Sequence, residues 1–325
     1  MPQGIALIPL RLKFSEPPNL GSSSFRIERF QAPPPTELVR WPGVRGMDLR
    51  WLQDVELALT RRFEYEEGKL NEWMYVVFPE LTCAFLALQI LSPSPQLHLT
   101  LAFDSLDSEP QLQAVGVPYA ANPTAWASQV RYRIEELSSF SLILERIQAV
   151  GARKLSRPTN ALSLYLQGLR AEERNMRTLL WSMGLDALTM ASNRSQFCAR
   201  VSTLFGPDTL VFPASASQQP QYTVSQIIGD LYTLRSEIAH GSQPSKPFQQ
   251  RTGFLDLSGD PISAQDTWAD VLEQSAMFLL HRMLKATMST DLFQDVQNDK
   301  PWRRNLESAW AVLQTVTSTA PAAMA

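Results

Sequence analysis

Apolar residues recur at helical spacing through most of this sequence, and that periodicity constrains the fold more than any other feature. From Asn122-Pro123 onward one helical stretch follows another, and the alternation typical of strands nearly disappears. The pattern therefore predicts a helical domain over residues 123–325. Its candidate helices span Pro123–Val150, Pro158–Arg170, Glu172–Ala191, Arg194–Phe205, Thr223–His240, Ala264–Thr287 and Arg303–Val316.

The first 122 residues have a different pattern. Proline and glycine interrupt the first 50 of them, where short alternating pieces such as Phe25–Phe30 have the character of strands. Tyr75–Ile90 has the apolar content of a helix that prolines stop, and Leu97–Phe103 alternates like a strand. Residues 1–122 are predicted to form a smaller domain of mixed α and β structure, so the whole chain is expected to be mainly α.

The composition is that of a weakly acidic globular protein. Hydrophobic residues make up 44% of the 325 positions and charged residues 19%, which provides enough apolar matter for packed cores. The formal net charge of -3 gives no overall attraction to phosphate, so DNA coating is not expected and RNA contact requires a local patch. The basic clusters that offer such a patch are Arg153-Lys154-Arg157, Arg170, Arg174, Arg177 and Arg303-Arg304.

Cysteine and histidine are too sparse for a disulfide framework or a metal centre. Cys83 and Cys198 are the only cysteines, and the three histidines lack paired spacing. Glycine-rich phosphate loops and serine-nucleophile elbows are also missing, so neither a metal nor another cofactor is predicted. A cytoplasmic protein without a membrane segment is expected, because the apolar stretch from Trp73 to Leu91 contains Glu80 and the N-terminus lacks a basic leader.

One predicted helix carries a charge on its buried face. Its apolar positions draw a single stripe with spacings of three and four, and Arg235 falls on that stripe four residues after Leu231. A buried, unpaired guanidinium is costly, so Arg235 needs a carboxylate partner or the wall of a solvated cleft. Asp186, at the edge of an apolar stripe in an earlier helix that is expected to be central, is the candidate partner.

The same helix is predicted to end at His240. Gly241 follows in the position where a left-handed residue terminates helices. The helix end places partial negative charge beside the imidazole, which favours its protonated form. Five residues turn a helix through roughly 140 degrees, so Arg235 and His240 do not share a face and a second surface must complete any site.

These residues resemble the signature of the HEPN superfamily, an arginine followed after four to six residues by a histidine near a helix end. The closest resemblance is to the branch related to abortive-infection proteins (ApeA-like), with a tyrosine, a leucine-arginine pair and a terminal histidine-glycine. Tyr232, Leu234-Arg235 and His240-Gly241 match that pattern. The resemblance covers residues 160–241 with motif support and extends loosely to about residue 286.

The resemblance implies a metal-independent endoribonuclease in a defence or toxin-like role, acting as a homodimer on single-stranded RNA. It implies that His240 serves as general acid or base and that Arg235 neutralises phosphate charge in the transition state. Asp186, Tyr232, Ser236 and Glu237 are the expected supporting residues.

A second reading of the same residues stays open. Ser236 stands where active members of the superfamily often have Asn, Asp or His, and many HEPN domains are non-catalytic modules that bind a protein or nucleotide or form dimers. In that case Arg235 connects two helices through a buried ion pair, and His240 caps terminal carbonyl groups.

Overall fold

A computed structural model describes residues 3–10, 16–22, 24–31, 52, 55–66, 69–91, 97–104, 111–120, 137–151, 156–171, 173–211, 222–241, 264–290 and 300. The chain divides into two compact units, Met1–Ala149 and Val150–Ala325. The described residues are mainly helical, with a small antiparallel sheet in the first unit, which confirms the predicted fold class in its coarse form. No described helix is long and apolar enough to cross a membrane.

The first unit contains a five-stranded sheet with the order β2-β3-β1-β4-β5, in which neighbouring strands are antiparallel. Its central strand, β1, pairs along its whole length with β3, from Gln3 opposite Glu64 to Leu10 opposite Leu57. Seven of the eight residues of β1 are buried. The strands are β1 Gln3–Leu10, β2 Phe25–Arg29, β3 Leu57–Glu64, β4 Leu97–Asp104 and β5 Gln111–Ala120.

The described residues of this unit also form two helices. Helix α1, Leu70–Leu91, packs against β1 and β3 with buried residues at helical spacing that include Leu81, Phe85 and Leu88. Helix α2, Phe140–Gly151, lies almost wholly in this unit, and the Ser141 hydroxyl lies 3.0 Å from the carbonyl oxygen of Gly21.

The predicted elements of this unit are confirmed where the structure describes them. Helix α1 contains Tyr75–Ile90, β4 contains Leu97–Phe103, and β2 covers all but the last residue of Phe25–Phe30. The strands β1, β3 and β5 were not predicted individually. The predicted domain boundary at residues 122–123 lies outside the described residues, and the compact units divide between Ala149 and Val150.

The described part of the second unit contains five helices, and the central one is α4. It contacts each of the other four, as the apolar residues on both of its sides predict. Each predicted helix from Pro158 to Thr287 is present with small shifts of its ends, whereas Arg303–Val316 lies outside the described residues. The five are α3 Arg157–Arg170, α4 Arg174–Thr189, α5 Arg194–Phe205, α6 Val224–His240 and α7 Ala264–Ser289.

A glycine brings α3 and α4 close together. A Cβ atom added to Gly168 would lie 2.2 Å from Nε1 of Trp181 and would overlap the indole ring. The same indole nitrogen donates a hydrogen bond of 3.2 Å to the carbonyl oxygen of Tyr165. The absence of a side chain at Gly168 therefore sets the distance between the two helices that form the candidate site.

Candidate functional site

The predicted ion pair between α4 and α6 is confirmed. Nη2 of Arg235 lies 2.6 Å from Oδ2 of Asp186, and the two side chains are 22% and 20% exposed. Arg235 therefore keeps its stem on the apolar side of α6, as the periodicity predicts, while part of its guanidinium reaches solvent.

Tyr232 holds the guanidinium from a second direction. The Cζ atom of Arg235 lies 5.2 Å from the centre of the Tyr232 ring, a cation–π arrangement that the spacing of three residues on one helix allows. The Tyr232 ring packs in turn against Phe197 of α5, with ring centres 5.4 Å apart. Arg235 is thus oriented by a carboxylate and by an aromatic ring that is itself held in place.

Asp186 lies where burial and positive charge oppose each other. Burial raises the pKa of Asp186, while the charge and hydrogen bond of Arg235 and the charge of Arg157 act to lower it. Its second oxygen, Oδ1, is buried and has no hydrogen-bond partner among the described residues. Arg157 is held nearby, since its Nη1 donates a 3.2 Å hydrogen bond to the carbonyl oxygen of Ala187.

An open groove of about 620 Å³ lies over this ion pair in the second unit. A volume of this size is in the range of small-ligand sites. Its described lining includes two guanidinium groups and one carboxylate, with amides, a hydroxyl and methionines between α3 and α4. The lining residues are Arg157, Asn160, Ser163, Leu164, Gln167, Met183, Asp186, Ala187, Met190, Ala191 and Arg235.

His240 lies at the C-terminal end of α6 and does not line the groove. The imidazole is exposed, and within the described parts of the chain it forms no hydrogen bond. Gly241 follows with φ of 67°, the left-handed conformation that the helix stop predicts. The alternative in which His240 caps carbonyl groups therefore finds no support among the described contacts.

The structure brings some of the expected site residues together and leaves others apart. Arg235 contacts both Asp186 and Tyr232. Ser236 and Glu237 are half-buried and are not part of the groove lining. Sequence reasoning did not assign Asn160, Ser163 and Gln167 to the site, although their spacing of three and four residues on a polar face is visible in the sequence.

Two members of the predicted basic clusters are paired with carboxylates. Arg177 is buried, and its Nε lies 2.5 Å from Oε1 of Glu273. Nη1 of Arg174 lies 3.1 Å from Oδ1 of Asp270. Burial raises the pKa of Glu273, and the hydrogen bond and charge of Arg177 act in the opposite direction. Arg177 in particular belongs to the α4–α7 interface rather than to a surface that RNA would contact.

Comparison with known proteins adds no relative to these observations. No protein-family model matches the chain, and neither a curated protein nor a solved structure is significantly similar to it. The resemblance to the HEPN superfamily therefore remains a prediction. In the described part of the chain no group of three or more His, Cys, Asp or Glu residues is arranged to hold a metal ion.

Proposed function

We propose that the helical unit is a HEPN-like endoribonuclease that cleaves single-stranded RNA without a metal ion, in a defence or toxin-like role. The proposal is based on the positions of Arg235 and His240 on α6. Asp186 and Tyr232 orient Arg235 at the edge of an open groove, and His240 is exposed at the end of the same helix. These are the two groups that metal-independent RNA cleavage requires, a positioned cation and an accessible imidazole.

In the proposed reaction the ribose 2′-oxygen attacks the neighbouring phosphorus. A neutral His240 accepts the 2′-hydroxyl proton, the P–O5′ bond breaks, and a protonated imidazole returns a proton to the leaving 5′-oxygen. The products are a 2′,3′-cyclic phosphate and a 5′-hydroxyl end. Arg235 offsets the negative charge that accumulates on the phosphoryl oxygens in the transition state.

A second copy of the chain completes the proposed site. His240 does not line the groove that contains Arg235, which agrees with the rotation of roughly 140 degrees between the two positions on one helix. In a homodimer, His240 of one copy would face Arg235 of the other, and the same imidazole would accept the 2′-hydroxyl proton and then return a proton to the leaving 5′-oxygen. The reaction then needs two copies but no cofactor.

The decisive experiment is cleavage of an end-labelled single-stranded RNA pool in the presence of EDTA. We expect the wild type to produce 2′,3′-cyclic phosphate ends, and the His240→Ala and Arg235→Ala variants to lose about 100-fold or more in rate. Arg194→Ala is the matched control, because Arg194 is an exposed arginine on α5 that does not line the groove. Circular dichroism establishes that each variant is folded.

An inert wild type, or activity that survives in the folded His240→Ala variant, would exclude the nuclease proposal. A mixture of the two inactive variants provides a further test of the shared site. If the catalytic groups come from different copies, mixed dimers regain part of the wild-type rate, whereas a site within one chain gives no recovery.

One observation favours a second function, a non-catalytic binding module. The groove is lined by Arg235 but not by His240. A ligand in the groove can therefore contact the Arg235 guanidinium without contacting the imidazole. RNA binding that depends on Arg235, combined with the absence of cleavage products, would select this alternative.

A further inference from the structure

The groove wall that α3 supplies is a row of hydrogen-bonding side chains. Asn160, Ser163 and Gln167 are exposed and follow one another at spacings of three and four residues along one helix face. Nε2 of Gln167 donates a 2.9 Å hydrogen bond to the Ser163 hydroxyl oxygen, which leaves the serine proton available to a ligand. The Asn160 amide makes no hydrogen bond within the described residues, so both its donor and its acceptor can serve a ligand.

Apolar side chains also line the groove on the side of α4. Met183 of α4 has 40% of its surface exposed, and Ala187 and Met190 line the groove with it. A large exposed apolar side chain inside a polar groove is typical of a ligand-binding surface. The methionine thioether adapts its shape and makes favourable contacts with aromatic rings, which suits it to a flat heterocycle of varying identity.

Arg157 and Arg235 converge on Asp186 in the same groove. Nη2 of Arg235 lies 2.6 Å from Oδ2 of Asp186, and Nη1 of Arg157 donates a 3.2 Å hydrogen bond to the carbonyl oxygen of the next residue, Ala187. Two guanidinium groups therefore line the groove together with one carboxylate, and guanidinium groups are well suited to bind a phosphate group.

From these three walls we infer that the groove holds one nucleotide of the single-stranded RNA substrate. This inference rests on the proposed ribonuclease function and adds to it a binding subsite outside Arg235 and His240. The phosphate lies toward Arg157 and Arg235, the base lies against Met183, and Asn160 and Gln167 hydrogen bond with the base edge or the ribose.

The test measures binding separately from cleavage. A fluorescein-labelled 2′-O-methyl hexanucleotide of mixed sequence has no 2′-hydroxyl and cannot be cut, so fluorescence anisotropy reports its affinity alone. We expect the double variant Asn160→Ala/Gln167→Ala to bind about tenfold more weakly, because two hydrogen bonds are lost. Gln148→Ala is the matched control, since Gln148 is an exposed glutamine on α2 that does not line the groove.

Substitutions at Met183 test whether RNA lies in the groove, because they add a negative charge there. Met183→Glu places a carboxylate where the RNA is expected to lie and should weaken binding more than Met183→Gln, which differs only in charge. Met183 is exposed enough that neither change disturbs a buried core. Equal binding by these two variants contradicts the proposed position of the phosphate and base.

The outcomes separate this inference from the proposed function. If the hexanucleotide binds in a way that depends on the groove residues but RNA is not cleaved, the subsite is supported and the nuclease proposal is contradicted. Cleavage that proceeds normally in the Asn160→Ala/Gln167→Ala variant, with unchanged affinity, sustains the nuclease and overturns the subsite. Binding of free AMP in the groove by a protein that does not bind the hexanucleotide also overturns it, because the ligand would then be a free nucleotide rather than RNA.

Discussion

Asp186 of α4 accepts a 2.6 Å hydrogen bond from Nη2 of Arg235 of α6, and this ion pair connects the central helix of the bundle to the helix that carries the proposed catalytic groups. Both side chains are about one-fifth exposed, which places the pair between a surface salt bridge and a buried one. Its strength can therefore be measured against an exposed pair in the same unit.

A double-mutant cycle on Asp186→Ala and Arg235→Ala should give a coupling free energy of about 1 to 2 kcal/mol. The control cycle on Arg174 and Asp270, whose side chains are 32% and 52% exposed, should give about 0.5 kcal/mol or less. Urea unfolding supplies the four free energies for each cycle. Equal coupling in the two cycles would show that partial burial adds nothing to the Asp186–Arg235 pair.

Gly168→Ala should destabilise the protein by about 1 to 3 kcal/mol, because the new methyl group would overlap the indole of Trp181. The matched control is Gly229→Ala in α6, where the added Cβ atom meets only the flexible end of Arg194 at 3.1 Å. That change should be neutral or stabilising by up to about 1 kcal/mol, since alanine favours helix more than glycine does. Chemical unfolding followed by tryptophan fluorescence measures both, and a similar response at both positions would contradict the close approach of α3 and α4.

Gly241→Ala should destabilise the protein by about 1 kcal/mol through backbone conformation alone. The φ of Gly241 is 67°, and no atom of the described residues lies within 4 Å of the position that a Cβ atom would take, so the expected loss comes from the backbone conformation. Gly241→Asn should cost less, because asparagine adopts the left-handed conformation more readily than alanine. Thermal unfolding ranks the three proteins, and an alanine variant as stable as the wild type would contradict the assigned helix stop.

The stability of the protein should depend on pH through Glu273. The pKa of Glu273 is raised in the folded state above its ordinary value of 4.5, chiefly by burial, so the folded chain retains a proton that the unfolded chain has lost. By linkage, this group's contribution to stability is fully present below pH 4.5 and is lost as the pH rises through the folded pKa. Glu273→Gln removes the titration and keeps a hydrogen-bond acceptor for Arg177.

The free energy of unfolding of Glu273→Gln, relative to the wild type, should therefore increase as the pH rises above 4.5 and level off beyond the folded pKa. Urea unfolding of both proteins across this range measures the difference. A difference that stays constant would mean that the ion pair with Arg177 cancels the effect of burial on the pKa, and a change in the opposite direction would mean that the ion pair outweighs it.

The sequence predicted the helices of the second unit well because their determinants are local. Apolar spacing and Gly241 after α6 act within a few residues, and α5 spans Arg194–Phe205 as predicted. The Asp186–Arg235 pair was also predictable, since a guanidinium on an apolar stripe requires a nearby carboxylate and α4 offered one at the edge of its own stripe.

The sheet was less accessible to the same reasoning. Strand β1 is buried at nearly every position, so it lacks the alternation that marks a half-exposed strand. It pairs with β3 and β4, which begin at Leu57 and Leu97, far along the chain. Pairing over such separations depends on which strands meet in the folded chain, and no local pattern specifies it.

By itself, then, the sequence determined the helices, the end of α6 at His240 and the need for a partner to Arg235, because those properties follow from the period of a helix and the energetics of a buried charge. Only the tertiary structure decided that α3 lies close beside α4, and hence that Asn160, Ser163 and Gln167 line one groove together with Met183 and Arg235. The physical reason is that a groove depends on the distance between two helices, and packing at Gly168 and Trp181 sets that distance.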